Sequence, residues 1–143
     1  MILYLEDDLV VAYIWARTLQ DAGYNIIIKR TPDQALEIIE LKFSELSAII
    51  LDVMLPLGHI LDRAETQSGL RTGFVLIRKI REFYKTKEIQ CPPIIIITIR
   101  NSYAEELEGM KVTVVSKRTD SPERVLEILK KNKIEPDNKE EEK

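Results

Sequence analysis

Cysteine is nearly absent from this 143-residue chain: Cys91 stands alone, so no disulfide can close within it, and its place just before an apolar run reads as a packed residue. Histidine is as scarce, and the isolated His59 does not read as a metal ligand. Long apolar runs are missing too. The longest, around Ile94 to Ile97, is far below the roughly 20 residues that cross a bilayer, so no membrane span is expected. Met1 to Asp8 contains no basic segment and reaches acids almost at once, which reads against a secretory signal and for a cytoplasmic protein. Nor is there an excess of positive charge. A net charge of -3 and a pI near 5.3 argue against the phosphate-tracking basic face of a nucleic-acid binder.

What the chain does contain is the balance of a soluble globular domain, with 45% hydrophobic and 31% charged residues in a length that suits one core. Five short runs rich in Ile, Val and Leu read as strands: Ile2 to Leu5, Ile26 to Ile28, Ala48 to Leu51, Ile94 to Ile97 and Val112 to Val115. They are apolar throughout rather than alternating, as strands covered on both faces of a parallel sheet must be.

Helices fit between them. Leu9 to Ala22 places Val11, Ile14, Trp15 and Leu19 at helical spacing, with Asp8 as N-cap and Gly23 as stop. Thr31-Pro32-Asp33-Gln34 offers a capping box with proline at the first helical position. Gly73 to Tyr84 is a third helix, Ser102 to Glu108 a short fourth, and Ser121-Pro122 opens the last. The alternation predicts an α/β doubly wound parallel sheet over residues 1–131, with functional groups at the carboxyl ends of its strands. Residues 132–143, charged and poor in apolar surface, read as a solvated, disordered tail.

Those strand ends carry the polar groups of interest. The first run ends in Glu6-Asp7-Asp8, the third in Asp52, the fourth in Thr98 and the fifth in Ser116-Lys117. With the first and third strands adjacent, Glu6, Asp7 and Asp52 converge, and carboxylates so close repel unless protonated or bridged by a cation. A hard oxygen site for magnesium answers that repulsion.

Magnesium beside an aspartate, a lysine and a hydroxyl is the set that phosphoryl transfer needs, because its catalysis is mainly positioning and charge neutralisation. Asp52 is the candidate nucleophile. Asp7 is placed to hold the metal directly, Glu6 to help through the metal or its water, and the backbone carbonyl of Met54 to complete the set. Lys117 and Thr98 are placed to grip phosphoryl oxygens. Asp8 is better explained as an N-cap, and each of the others has a bland reading as a dipole partner, a cap or a solvated lysine. Their joint placement at four strand ends favours the functional reading.

Ile2-Leu3-Tyr4-Leu5-Glu6-Asp7-Asp8, Leu51-Asp52-Val53-Met54-Leu55-Pro56, Ile95-Ile96-Ile97-Thr98 and Ser116-Lys117 together resemble the receiver family of two-component signalling, over about residues 1–131. The resemblance implies a five-stranded flavodoxin-like sheet of order 2-1-3-4-5. It also implies magnesium-dependent phosphorylation of Asp52 by a histidine kinase or histidine phosphotransfer protein. Such a protein would be a stand-alone regulator acting through protein contacts, and no enzyme beyond its own phosphoryl transfer and dephosphorylation. The oligomeric state stays open between monomer and homodimer.

Several positions depart from the family pattern. The stretch Leu57 to Thr72 is longer than usual between acceptor and third helix, and is expected to be partner surface, lid or disordered loop. Ile99 follows the switch hydroxyl where a small residue is usual, Val114 replaces a mobile aromatic, and Arg118-Thr119 replaces a proline after Lys117. Met54 and Arg100, which flank the path of attacking water, carry neither carboxylate nor amide. A haloacid-dehalogenase-type phosphohydrolase needs a second carboxylate two residues after the nucleophile, where Met54 stands. A flavodoxin-like cofactor carrier needs a hydroxyl- and glycine-rich loop after the first strand, where this chain has acids. The alternative to a phosphorylated switch is a receiver-fold interaction module that is not phosphorylated.

Overall fold

Each apolar run forms a short parallel strand, and each intervening segment with helical spacing forms a helix. In the computed structural model, which describes residues 1–55, 58, 71–99 and 104–137, the order is β1 Ile2–Leu5, α1 Leu9–Asp21, β2 Ile26–Lys29, α2 Pro32–Lys42, β3 Ala48–Leu51, α3 Thr72–Thr86, β4 Ile94–Thr98, α4 Ala104–Gly109, β5 Thr113–Ser116 and α5 Pro122–Lys131. The strands pair in parallel in the order β2-β1-β3-β4-β5. Successive side chains on a strand point to opposite faces, so the same runs feed two cores. Leu3, Leu5, Ile49, Leu51 and Ile96 pack with α2 and α3, while Ile2, Tyr4, Ile50, Ile97 and Val115 pack with α1 and α5.

Complete cover on both faces holds for β1, β3 and β4, whereas the edge strands differ. β2 is only half-buried, and β5 exposes Thr113 and Val114. The fifth strand also lies one residue later than its apolar run suggests, because Val112 precedes it and Ser116 completes its pairing with Thr98. Among the described residues, no helix is long and apolar enough to cross a membrane.

Local signals set the helix ends. The Asp8 carboxylate accepts from the backbone N–H groups of Val10 and Val11 at 3.0 and 3.3 Å, and Gly23 ends the turn after α1 with a φ of +96°. At α2 the Thr31 hydroxyl accepts from Gln34 N, but the Gln34 carboxamide reaches back to Arg30 N rather than to Thr31, so the box closes one residue early. α3 begins at Thr72 and extends to Thr86, two residues beyond its expected end. Of the expected fourth helix, Ser102 and Tyr103 lie outside the described residues, as does the stretch from 57 to 72 apart from Gly58, Arg71 and Thr72.

The segment assigned on sequence to the tail differs over residues 132–137. Tyr24 donates its hydroxyl to the Ile134 carbonyl at 2.6 Å. Asp137 accepts from the N-terminal ammonium at 2.6 Å and from Asn25 N at 2.9 Å. These contacts join positions more than a hundred residues apart, and no local composition signals them. Residues 138–143 lie outside the described residues.

Candidate functional site

Both β1 and β5 carry their backbone pairing one residue past the strand end. Glu6 N donates to the Lys29 carbonyl and Lys117 N to the Thr98 carbonyl, each at 3.0 Å. Glu6 and Lys117 are therefore held at the carboxyl edge of the sheet, Lys117 opening the turn after β5, with Asp52 directly after β3 between them. Glu6 is 2%, Asp52 8% and Thr98 3% exposed.

Lys117 Nζ donates to Glu6 Oε1 at 2.7 Å and to Asp52 Oδ2 at 3.0 Å, so one ammonium bridges two carboxylates. Burial pushes the Glu6 carboxyl above its ordinary range, against the Lys117 hydrogen bond that favours its charged form. Burial alone would lower the Lys117 pKa, but the charge of Asp52 and the hydrogen bonds to both acids outweigh it and hold the ammonium more firmly. The second oxygen of Asp52 accepts from Met54 N at 3.2 Å, which fixes the carboxylate between loop backbone and lysine.

Glu6, Asp7, Asp52, Met54, Thr98 and Lys117 all line one open pocket of about 300 Å³, together with Asp8, Val11 and Ile99. Every residue placed in the site on sequence lines this space. They do not close on one another equally. Among the described residues no three His, Cys, Asp or Glu side chains converge tightly enough to hold a metal ion, because Lys117 lies between Glu6 and Asp52 and Asp7 is exposed. The donor chemistry nonetheless suits magnesium: carboxylates and a backbone carbonyl are the hard oxygens that such an ion takes.

Three contributions escape a reading by motif. Arg30, at the end of β2, donates from Nε and Nη2 to the Asp7 carbonyl at 3.2 and 3.0 Å and fixes the backbone of the acidic turn. The signal for it was only an arginine at a neighbouring strand end. Where a proline was expected after Lys117, Ser116 N donates to Asp120 Oδ2 at 2.8 Å, and Ser116 Oγ accepts from Arg118 N and Thr119 N. Side-chain turn chemistry thus shapes the β5–α5 connection, with no cis peptide bond among the described residues. Lastly, Gly73 N donates to the Val53 carbonyl at 2.8 Å, and a Cβ at this position would overlap the Asp52 carbonyl and lie 2.6 Å from Val53 Cα. Only glycine lets α3 start so close to the backbone that follows β3.

A larger groove of about 530 Å³ runs between α3 and α4, lined by Arg71, Arg78 and Arg81 with Phe74 and Glu106. Arg71 pairs with Glu106 and Arg81 donates to the Met110 and Lys111 carbonyls, so these guanidiniums tie α4 to α3. It contains no strand-end carboxylate, and size alone does not make it the chemical site.

No protein-family model matches the chain, and no curated protein sequence matches it. Solved structures do. The chemotaxis response regulator CheY4 of Vibrio cholerae matches with a TM-score of 0.65 at 24% identity, covering 91% of this chain and 95% of that one. The receiver domain of the hybrid histidine kinase CckA gives 0.64 at 25% identity, over 91% of this chain and 95% of that one. A CheY-like response regulator receiver domain protein from Methanospirillum hungatei JF-1 gives 0.68 at 20% identity, over 92% and 90%. The chain has the fold of response-regulator receiver domains, and the sheet order expected from the resemblance is borne out.

Proposed function

We propose that this chain is a cytoplasmic phosphorylation switch, in which Asp52 accepts a phosphoryl group from a histidine kinase or a histidine phosphotransfer protein and the change is passed on through protein contacts. The observation that carries this reading is the bridge of Lys117 to Asp52 and Glu6 at the carboxyl edge of the receiver-type sheet. One structural neighbour is the receiver domain of a hybrid histidine kinase, which supports a phosphohistidine donor.

In the transfer, an Asp52 carboxylate oxygen attacks the phosphorus of phosphohistidine; the P–N bond breaks, the imidazole leaves and an acyl phosphate forms. Lys117, already 3.0 Å from Asp52, supplies positive charge to the phosphoryl oxygens, and Thr98 offers its hydroxyl from the same pocket. Bound magnesium would neutralise phosphoryl charge, held by Glu6, Asp7, Asp52 and the Met54 carbonyl. Met54 brings no base to the acceptor loop, so hydrolysis of the acyl phosphate is slow. The protein acts on no other substrate.

The test is intact-mass measurement after treatment with a small acyl-phosphate donor and magnesium. Addition of one phosphoryl group is expected, absent in Asp52→Asn and suppressed by a chelator; equal labelling of that variant overturns the assignment. One observation favours the second reading, an interaction module that is not phosphorylated: Ile99, 49% exposed, lines the pocket where a small residue would leave it open. An unlabelled wild type whose Ile99→Ala variant becomes labelled would support that reading.

A further inference from the structure

Among the described residues, one buried side-chain polar atom has no hydrogen-bond partner: the hydroxyl of Tyr4. The protein treats its other inward-facing tyrosines differently. Tyr24 donates to the Ile134 carbonyl at 2.6 Å and Tyr84 to the Phe43 carbonyl at 2.9 Å. An unpaired buried hydroxyl is costly, and such groups recur where function needs them.

Tyr4 stands two residues before Glu6 on a strand whose pairing continues through Glu6 N, so the two side chains share one face of the sheet. That face packs against α1, where Ala12 and Ala16 belong to the same core cluster and leave room for a ring. Burial, then the charges of Glu6 and Asp52, push the Tyr4 phenol well above its ordinary range. Glu6 has the complementary weakness. It accepts from an ammonium that it shares with Asp52, and it is itself 2% exposed. A cation or phosphoryl group entering the pocket competes for that arrangement and draws Lys117 away.

We propose that Tyr4 is a positioning residue for Glu6: its hydroxyl donates to the Glu6 carboxylate when Lys117 turns to a charge newly arrived in the site. The inference rests on the proposed function and names a residue that holds a ligand from behind. A hydroxyl unpartnered at rest then becomes engaged in the loaded state, and its unpaired condition favours that state.

Calorimetric titration of the full chain with magnesium chloride, together with thermal unfolding without the metal, tests it on wild type, Tyr4→Phe, Glu6→Gln and the double variant. Tyr4→Phe should melt no lower than wild type, since no resting hydrogen bond is lost, yet bind magnesium about tenfold more weakly, the scale of lost outer-shell support. The difference between Tyr and Phe should vanish in the Glu6→Gln background. A lower melting temperature for Tyr4→Phe, or an affinity equal to wild type, overturns the inference, as does a difference that survives Glu6→Gln. Wild-type protein that takes neither magnesium nor a phosphoryl group overturns the proposed function and this inference with it. Wild type that takes both, matched by Tyr4→Phe, overturns the inference alone.

Discussion

Replacing Lys117 by methionine keeps an unbranched stem of similar length and removes the ammonium, so it isolates the charge bridge from the packing. In the wild type that ammonium lies 2.7 Å from Glu6 and 3.0 Å from Asp52, with the three side chains 12%, 3% and 11% exposed. Removing one partner of a buried pair costs about 3–5 kcal/mol. Two features of this site reduce that figure: the pocket is open on one side, and burial already pushes Glu6 toward its protonated form. A loss of about 2–3 kcal/mol near neutral pH is expected, read as a lower urea midpoint at unchanged m value. Lys117 is thus expected to serve the resting fold as well as a phosphorylated state.

The pH dependence identifies the cause. A carboxyl whose folded pKa is raised contributes stability that is full below its unfolded pKa and lost as pH rises through the folded one. Without Lys117, Glu6 moves further in that direction, so the deficit of Lys117→Met relative to wild type should shrink as pH falls from about 7 to about 5. Glu6→Gln should lessen the damage, with a coupling of about 1–3 kcal/mol in a double-mutant cycle. A Lys117→Met protein within about 0.5 kcal/mol of wild type at both pH values would refute the reasoning, as would additive Glu6 and Lys117 variants.

Gly73→Ala should push the acceptor loop away from α3, because the new Cβ would meet backbone of Asp52 and Val53 and not a yielding side chain. A loss of about 1–3 kcal/mol in urea unfolding and labelling of Asp52 slower by about a hundredfold are expected, and a variant that unfolds and labels like wild type would show that the approach is not required. Tyr84, 1% exposed, has its phenol raised to about 12 by burial first, so its contribution is full below the ordinary value of 10.0 and lost as pH climbs through about 12. That amounts to at most about 3 kcal/mol across the interval; Tyr84→Phe should unfold with a flatter alkaline dependence, and an equally steep one would assign the loss elsewhere.

The central strands were legible because a strand covered on both faces leaves a continuous apolar run, and β1, β3 and β4 are such strands. The strand-end acids and lysine stood out by their joint placement at strand ends, since each alone has a local reading as a dipole partner, a cap or a solvated lysine. Edge strand β5 was placed one residue early because half of it faces solvent, which removes the contrast that marks its ends. The resting bridge was not legible. Glu6 and Lys117 are 111 positions apart, and only the folded sheet shows that the lysine reaches the carboxylates themselves. Arg30 on the Asp7 carbonyl and Asp137 on the N-terminal ammonium escaped for the same reason: their partners lie 23 and 136 residues away.

The long stretch between acceptor and third helix shows why distance along the chain is a poor measure of likeness at such a site. Doubling the length of a connection costs only about 0.6 kcal/mol of closure entropy, little beside the contacts that fix its two ends. Those ends are fixed firmly here. Thr72 is fully buried, Gly73 N donates to the Val53 carbonyl, and no side chain at 73 holds α3 off the acceptor loop. The number of residues between Asp52 and α3 can therefore grow while the carboxylate keeps its place opposite Lys117. Gly73 lies against the backbone of Asp52 and Val53 in space, although the stretch that separates it from Asp52 in sequence is longer than the family pattern.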